Sequence, residues 1–229
     1  MEVKTPKWES ELWSYVGSGD GSHCPAYDHC QLRQQGGWCV DDNKERLSHL
    51  IEAKQSGSAS CDFIDSGTSC RITQMVEMLA QKYLKEGGIH CPPVSTGLLS
   101  LADKQHTIET RLLPLKVYHG AIWFLMEEWV IQLKDDAAPA SKRFTLFHEA
   151  FHILAHCGTC GTAPAFSKRG SLQGSFNELL ADYFAVCILM PREWVKEKWA
   201  EVKDLDKMTE IFDVPKSAMC IRLKRLGLT

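Results

Sequence analysis

At residues 148–152 the chain reads His-Glu-Ala-Phe-His, inside the longer stretch RFTLFHEAFHILAHCGTC, and no other feature constrains the fold as much. Histidines four residues apart sit one turn apart on one face of an α-helix, where two ligands of a single ion must lie. Glu149 follows the first histidine directly, so its carboxylate points beside such an ion and serves as a base for water. Phe144, Phe147, Phe151 and Leu154 supply an apolar back to the same helix. A hydrolytic zinc takes three protein ligands, and this helix offers two. The fold must therefore bring a second element against it.

The stretch NELLAD, residues 177–182, provides that element. Glu178 is the candidate third ligand. Asp182, one turn later, is placed to accept a hydrogen bond from a ligand histidine and so fix its tautomer. Their neighbours Leu179, Leu180, Phe184 and Ala185 mark a helix sunk in a core, not a solvated acidic surface. His156 extends the histidine row, but the motif that recruits a later histidine needs a glycine break, and none precedes His156. The expectation for His156 is a place at the helix end or beside the cleft.

The remaining pattern predicts an α+β chain. ITQMVEMLAQKYLK (72–85) has helical spacing with Ile72, Met75, Val76, Leu79 and Tyr83 on one face, and Gly87-Gly88 ends it. A short helix is expected over 92–103. HTIETRLLPL, HGAIWFLM and EEWVIQL then read as three strands, the last two forming an edge to which an extended peptide could pair. Further helices follow over 176–189 and, with Pro191 before it, 192–202; the last segment reads helix, turn, helix. With 44% hydrophobic and 24% charged residues, 229 residues can bury a core without disulfides. A net charge of −3 excludes a protein coating nucleic acid over its whole surface. The N-terminus has no apolar run of the signal-peptide kind and no stretch is long enough to span a bilayer, so a cytoplasmic protein without membrane contact is expected.

RFTLFHEAFHIL followed by NELLADYFAVCILMP resembles the ImmA/IrrE family of bacterial zinc metallopeptidases, over roughly residues 72–201. The resemblance implies a zincin-like core: a small, mainly antiparallel sheet packed on the helix with the two histidines and on a second ligand helix. It implies Zn2+ on His148, His152 and Glu178, with Glu149 activating water. It further implies site-specific cleavage of a helix-turn-helix repressor. Phe151 departs from the smaller residue many members carry between the glutamate and the second histidine. The cysteine-rich N-terminal region looks more like the CapP-type members encoded beside antiphage (CBASS) operons, which pair with a small repressor and respond to single-stranded DNA. The organisation read from sequence is a cysteine-rich region over 1–70, a metallopeptidase domain over 71–204 and a helix-turn-helix-like tail over 205–229.

Several residues keep two readings. Cys24, Cys30, Cys39, Cys61 and Cys70 offer enough thiolates for a second, structural zinc, or are free thiols or redox pairs. The C-x-x-C of Cys157 and Cys160 is a weak metal or redox signal. Cys91, before two prolines, is either an inhibitory fourth zinc ligand or part of a turn. Tyr183, His119, His156 and Arg143 are candidates for stabilising an oxyanion or lining the cleft. Lys216, Arg222, Lys224 and Arg225 make the tail basic, for phosphate contacts or as the solvated face of a packed helix pair. The rival to a peptidase is a DNA-responsive regulator that acts by binding, with a structural or silenced zinc site.

Overall fold

The computed structural model describes residues 5–18, 71–115, 119–159 and 172–229. The five cysteines from Cys24 to Cys70 and Cys160 lie outside these residues, as does DNKERLSHLIEAKQ (42–55), whose sequence between two loop-like segments reads as a helix.

Within them the helical periodicities become helices. Helix α1 (Lys7–Ser18) buries Leu12, Trp13 and Val16. Helix α2 (Arg71–Glu86) buries Ile72, Met75, Val76 and Leu79, the face its spacing predicts. Gly88 ends it with φ +64°, while Ile89 N–H reaches back to Leu84 O at 2.9 Å. A left-handed residue at this point favours glycine. A 3-10 helix (Thr96–Leu101) leads into strand β1 (Thr107–Leu113). Strands β2 (Gly120–Leu125) and β3 (Glu128–Lys134) follow, joined through Met126 and Glu127, both at positive φ as a two-residue hairpin requires.

The sheet order is β1-β3-β2, with β1 parallel and β2 antiparallel to β3. It is thus a mixed sheet, not a mainly antiparallel one. Strand β3 takes the centre because Trp129, Val130, Ile131 and Leu133 are all buried, which leaves β2 alone of the expected edge pair at the edge.

Helix α3 (Pro139–Gly158), with its proline at the first turn, carries the histidines and lies against β2 and β3. Helix α4 (Leu172–Leu189) is the centre of the chain. Every residue from Leu180 to Met190 is buried, and it contacts both α2 and α3. Such all-round burial is why it reads as continuously apolar. Helices α5 (Arg192–Val202), α6 (Leu205–Phe212) and α7 (Lys216–Arg225) complete the chain.

Two carboxylates, Glu77 half-buried and Asp103 buried, join these pieces. Glu77 of α2 accepts from Tyr183 Oη at 2.9 Å and from Arg192 Nη2 at 3.1 Å, with Arg222 Nη1 at 3.5 Å. Arg222 itself is 2% exposed and donates to Met190 O. Helices α2, α4, α5 and α7 thereby share one anion.

Asp103 does the same at the other end. It accepts from Trp129 Nε1 at 2.9 Å, His106 Nδ1 at 2.8 Å and the Gln105 N–H at 2.8 Å, tying β3 to the loop before β1. Burial alone would raise its proton affinity. The hydrogen bonds from Trp129, Gln105 and His106 outweigh burial and hold the carboxyl well below the ordinary carboxylate range.

Replacing Asp103 by Ala leaves the buried indole N–H without its partner and should cost about 2–4 kcal/mol in chemical denaturation at pH 7. Because the folded value is depressed, this stabilisation is complete above the ordinary value of 3.8 and is lost as pH falls toward the folded one. The deficit of Asp103→Ala should shrink correspondingly in acid.

Candidate metal centre

His148 and His152 project from α3 toward α4, where Glu178 and Asp182 lie one turn apart. Glu178 Oε2 is 3.2 Å from His148 Nε2, Glu178 Oε1 is 3.4 Å from His152 Nε2, and the two Nε2 atoms are 3.3 Å apart. Ligands about 2.05 Å from a tetrahedral ion stand ~3.4 Å from one another. The donor triangle therefore already has the size of one face of a zinc tetrahedron. Among the described residues this is the group able to hold a metal ion. Two neutral nitrogens and a carboxylate are the donor set of a catalytic zinc with an open fourth position.

Asp182 Oδ1 stands 2.7 Å from His148 Nδ1. An ionised carboxylate only accepts, so Nδ1 carries the proton and Nε2 is left to face the other donors. Burial works against a charge on His148, but Asp182 first, then Glu178 and Glu149, hold its proton affinity well above 6.5. Burial and repulsion from His148 push His152 down to about 4, only partly offset by Glu178. Three carboxylates around two imidazoles make an electronegative site that a dication offsets.

Glu149 is 7% exposed and lies against β2. A side chain at Gly120 would place its Cβ 2.9 Å from Glu149 Oε1 and 2.4 Å from Thr145 Cγ2. Glycine lets the strand backbone come this close to the carboxylate. Lys134 N–H bonds to His119 O, which sets the antiparallel alternation. By that alternation the N–H and C=O of Gly120, Ile122 and Phe124 point away from β3, along an edge that no other described strand pairs.

Comparison with known proteins identifies the family. The sequence model of the Peptidase M78 family, described as an IrrE N-terminal-like domain, matches residues 103–224. The chain belongs to the Peptidase M78 family. No curated protein matches it. The fold is similar to that of a solved Mycobacterium tuberculosis transcriptional regulator, at 18% identity and a TM-score of 0.50, covering 66% of this chain and 46% of that one. The chain thus spans about half of that regulator's length. No helix among the described residues is long and apolar enough to cross a membrane.

The other residues singled out in this M78 chain disperse. The Tyr183 hydroxyl is spent on Glu77, away from the histidines. Arg143 reaches toward Asp213 at 3.7 Å, beside the turn between α6 and α7. His156 lies under the sheet, 5.2 Å from the Trp129 ring and 6.1 Å from that of Phe124. His119 alone of the four adjoins Gly120 in the chain, and through it Glu149. Cys91 is exposed, with Lys198 as its charged neighbour, and does not join the metal-capable group. Cys157 is exposed, but its sulfur lies 3.5 Å from Asp103; burial and that charge push the thiol up to about 12. A thiol so disfavoured as thiolate is a poor redox nucleophile.

Arg222 requires a correction. Buried against Glu77 and Met190 O, it has no surface to offer a phosphate. Lys216 pairs with Asp206, and Arg225 lies 5.9 Å over the Tyr183 ring. Lys224 keeps an exposed place on α7.

Gly120 and the Glu77 cluster were not singled out from sequence. The first had a signal, a glycine opening an aromatic strand beside the motif helix. The second had none, because its members are 106 and 115 residues apart.

Replacing Asp182 by Ala frees the His148 ring, and zinc affinity should fall about 10–100-fold in a chelator competition. Replacing Asp136, which pairs with Lys134 instead, should leave it unchanged.

Proposed function

We propose that this chain is a zinc-dependent endopeptidase that cleaves a helix-turn-helix transcriptional repressor. The observation that carries the reading is the donor triangle of His148, His152 and Glu178, with Glu149 beside it at an open strand edge. Membership of the M78 family supports the peptidase chemistry, and the repressor as substrate follows the resemblance.

His148 and His152 would hold the ion through Nε2 and Glu178 through its carboxylate, while Asp182 keeps the His148 ring from rotating. Zinc bound there supplies Lewis acidity, lowering the pKa of water to ~7 and polarising a peptide carbonyl. Glu149 takes the proton of the attacking water on its carboxylate and returns it to the departing amine. Its near-complete burial keeps bulk water from competing for that proton.

The open backbone groups of Gly120, Ile122 and Phe124 bind an extended peptide by adding a strand to the sheet. Gly120 then sets the scissile bond near Glu149, because the strand carrying the peptide approaches the base most closely there. An extended segment is what a linker or unfolded turn of a helical repressor can offer; an intact helix has no free edge to pair.

A Glu149→Gln chain should retain one zinc at this site and lose cleavage of the repressor by roughly 10²–10⁴-fold. Gly120→Ala should also retain zinc, yet lower kcat as β2 is forced from Glu149. If Glu149→Gln regulates the target promoter as well as wild type does, the chain acts by binding and the peptidase reading fails.

A further inference from the structure

One turn beyond His152, α3 enters a cavity that the metal chemistry does not use. It measures about 550 Å3 and is lined by Asp103, His106, Phe124, Glu127, Trp129 and His156, among others. This is the size of a small-ligand pocket.

Its walls are rings. Phe124 lies 4.7 Å from Trp129 and 5.0 Å from His106, and His156 stands edge-on to Trp129 at 5.2 Å. Its charge is negative. Asp103 is ionised, and its hydrogen-bond partners are an indole, a backbone amide, an imidazole and a thiol, none of them a lysine or arginine. Glu127 stands at the rim, its side chain 86% exposed and its carboxylate 3.7 Å from His106 Nε2. Lys104, also at the rim, is drawn to Glu86 at 3.5 Å. His156 Nδ1 is buried and has no hydrogen-bond partner. The Phe124 face and two carboxylates that, among the described residues, have only His106 and no lysine or arginine as a cationic partner together select a cation with N–H donors.

We propose that this cavity binds one basic head group, a guanidinium or alkylammonium, against the rings of Phe124 and His106 and beside the carboxylates of Asp103 and Glu127. Two sources share that chemistry: a basic side chain of the peptide being cleaved, or a free small cation. The first source rests on the peptidase reading. Strand β2 runs from Gly120, at Glu149, to Phe124, over His156, and four extended residues span ~14 Å. A peptide paired along β2 would present to the cavity a side chain about four residues from the scissile bond.

The test uses the zinc-loaded full chain. Arginine is walked along a cleaved peptide, each position compared with citrulline, which has the same shape without the charge. At one position arginine should raise kcat/KM about tenfold over citrulline. Glu127→Lys should abolish that ratio while leaving zinc content and the citrulline peptide unaffected. Separately, L-arginine amide is titrated against the protein and the Trp129 indole N–H followed by NMR, assigned with Trp129→Phe. A shift in wild type that Glu127→Lys removes, with no positional preference in peptides, identifies a free cation as the ligand. That arm reads the cavity even if no peptide is cut, so the peptidase reading can fail while the cation site stands. No arginine preference together with no shift of the indole overturns the proposal.

Discussion

The hydrogen bond from His148 to Asp182 crosses between two helices, and the rest of the site depends on that crossing. It fixes the imidazole so that Nε2 meets His152 at 3.3 Å and Glu178 at 3.2 Å. It also demands that α4 bury Asp182 in the core one turn from the half-exposed Glu178. Polar groups so placed are costly unless partnered. Here Asp182 is satisfied by His148, and α4 is held from behind by Tyr183, whose hydroxyl reaches Glu77. The buried Arg222 completes that support from the last helix. The C-terminal helix pair therefore belongs to the framework of the metal site as much as the motif helix does.

A consistent sequence would not crowd three acids around two histidines. Such local conflict is expected where a site is held for chemistry and the surrounding fold over-determines its geometry. The same logic explains Gly120. A glycine weakens a strand, yet only a residue without Cβ lets β2 lie against Glu149.

Much of this was legible in the sequence. The i, i+4 histidines, the carboxylates of NELLAD and the faces of α2 and α4 follow from periodicity, which is local. What resisted reading was what depends on distant pairing. EEWVIQL and HGAIWFLM are equally strand-like, and only the burial of both faces of β3 decides which is central. Arg222 looked like a surface cation because its neighbours Lys224 and Arg225 are basic; its partner lies 145 positions earlier, at Glu77. Helix α1 went unread although Trp8, Leu12 and Val16 are spaced by four, because the glycines and cysteines after it dominate that region.

Among the described residues no strand pairs with the outer flank of β2, and this has one more effect. Trp123, Leu125 and Met126 on this strand and its turn are 45%, 54% and 97% exposed. An apolar, unprotected edge does not distinguish a foreign peptide from the same edge on another molecule. Two chains meeting there would extend one sheet through both and cover both Gly120 positions at once. The edge proposed to admit a substrate is, at high concentration, also the one by which the protein would occlude itself.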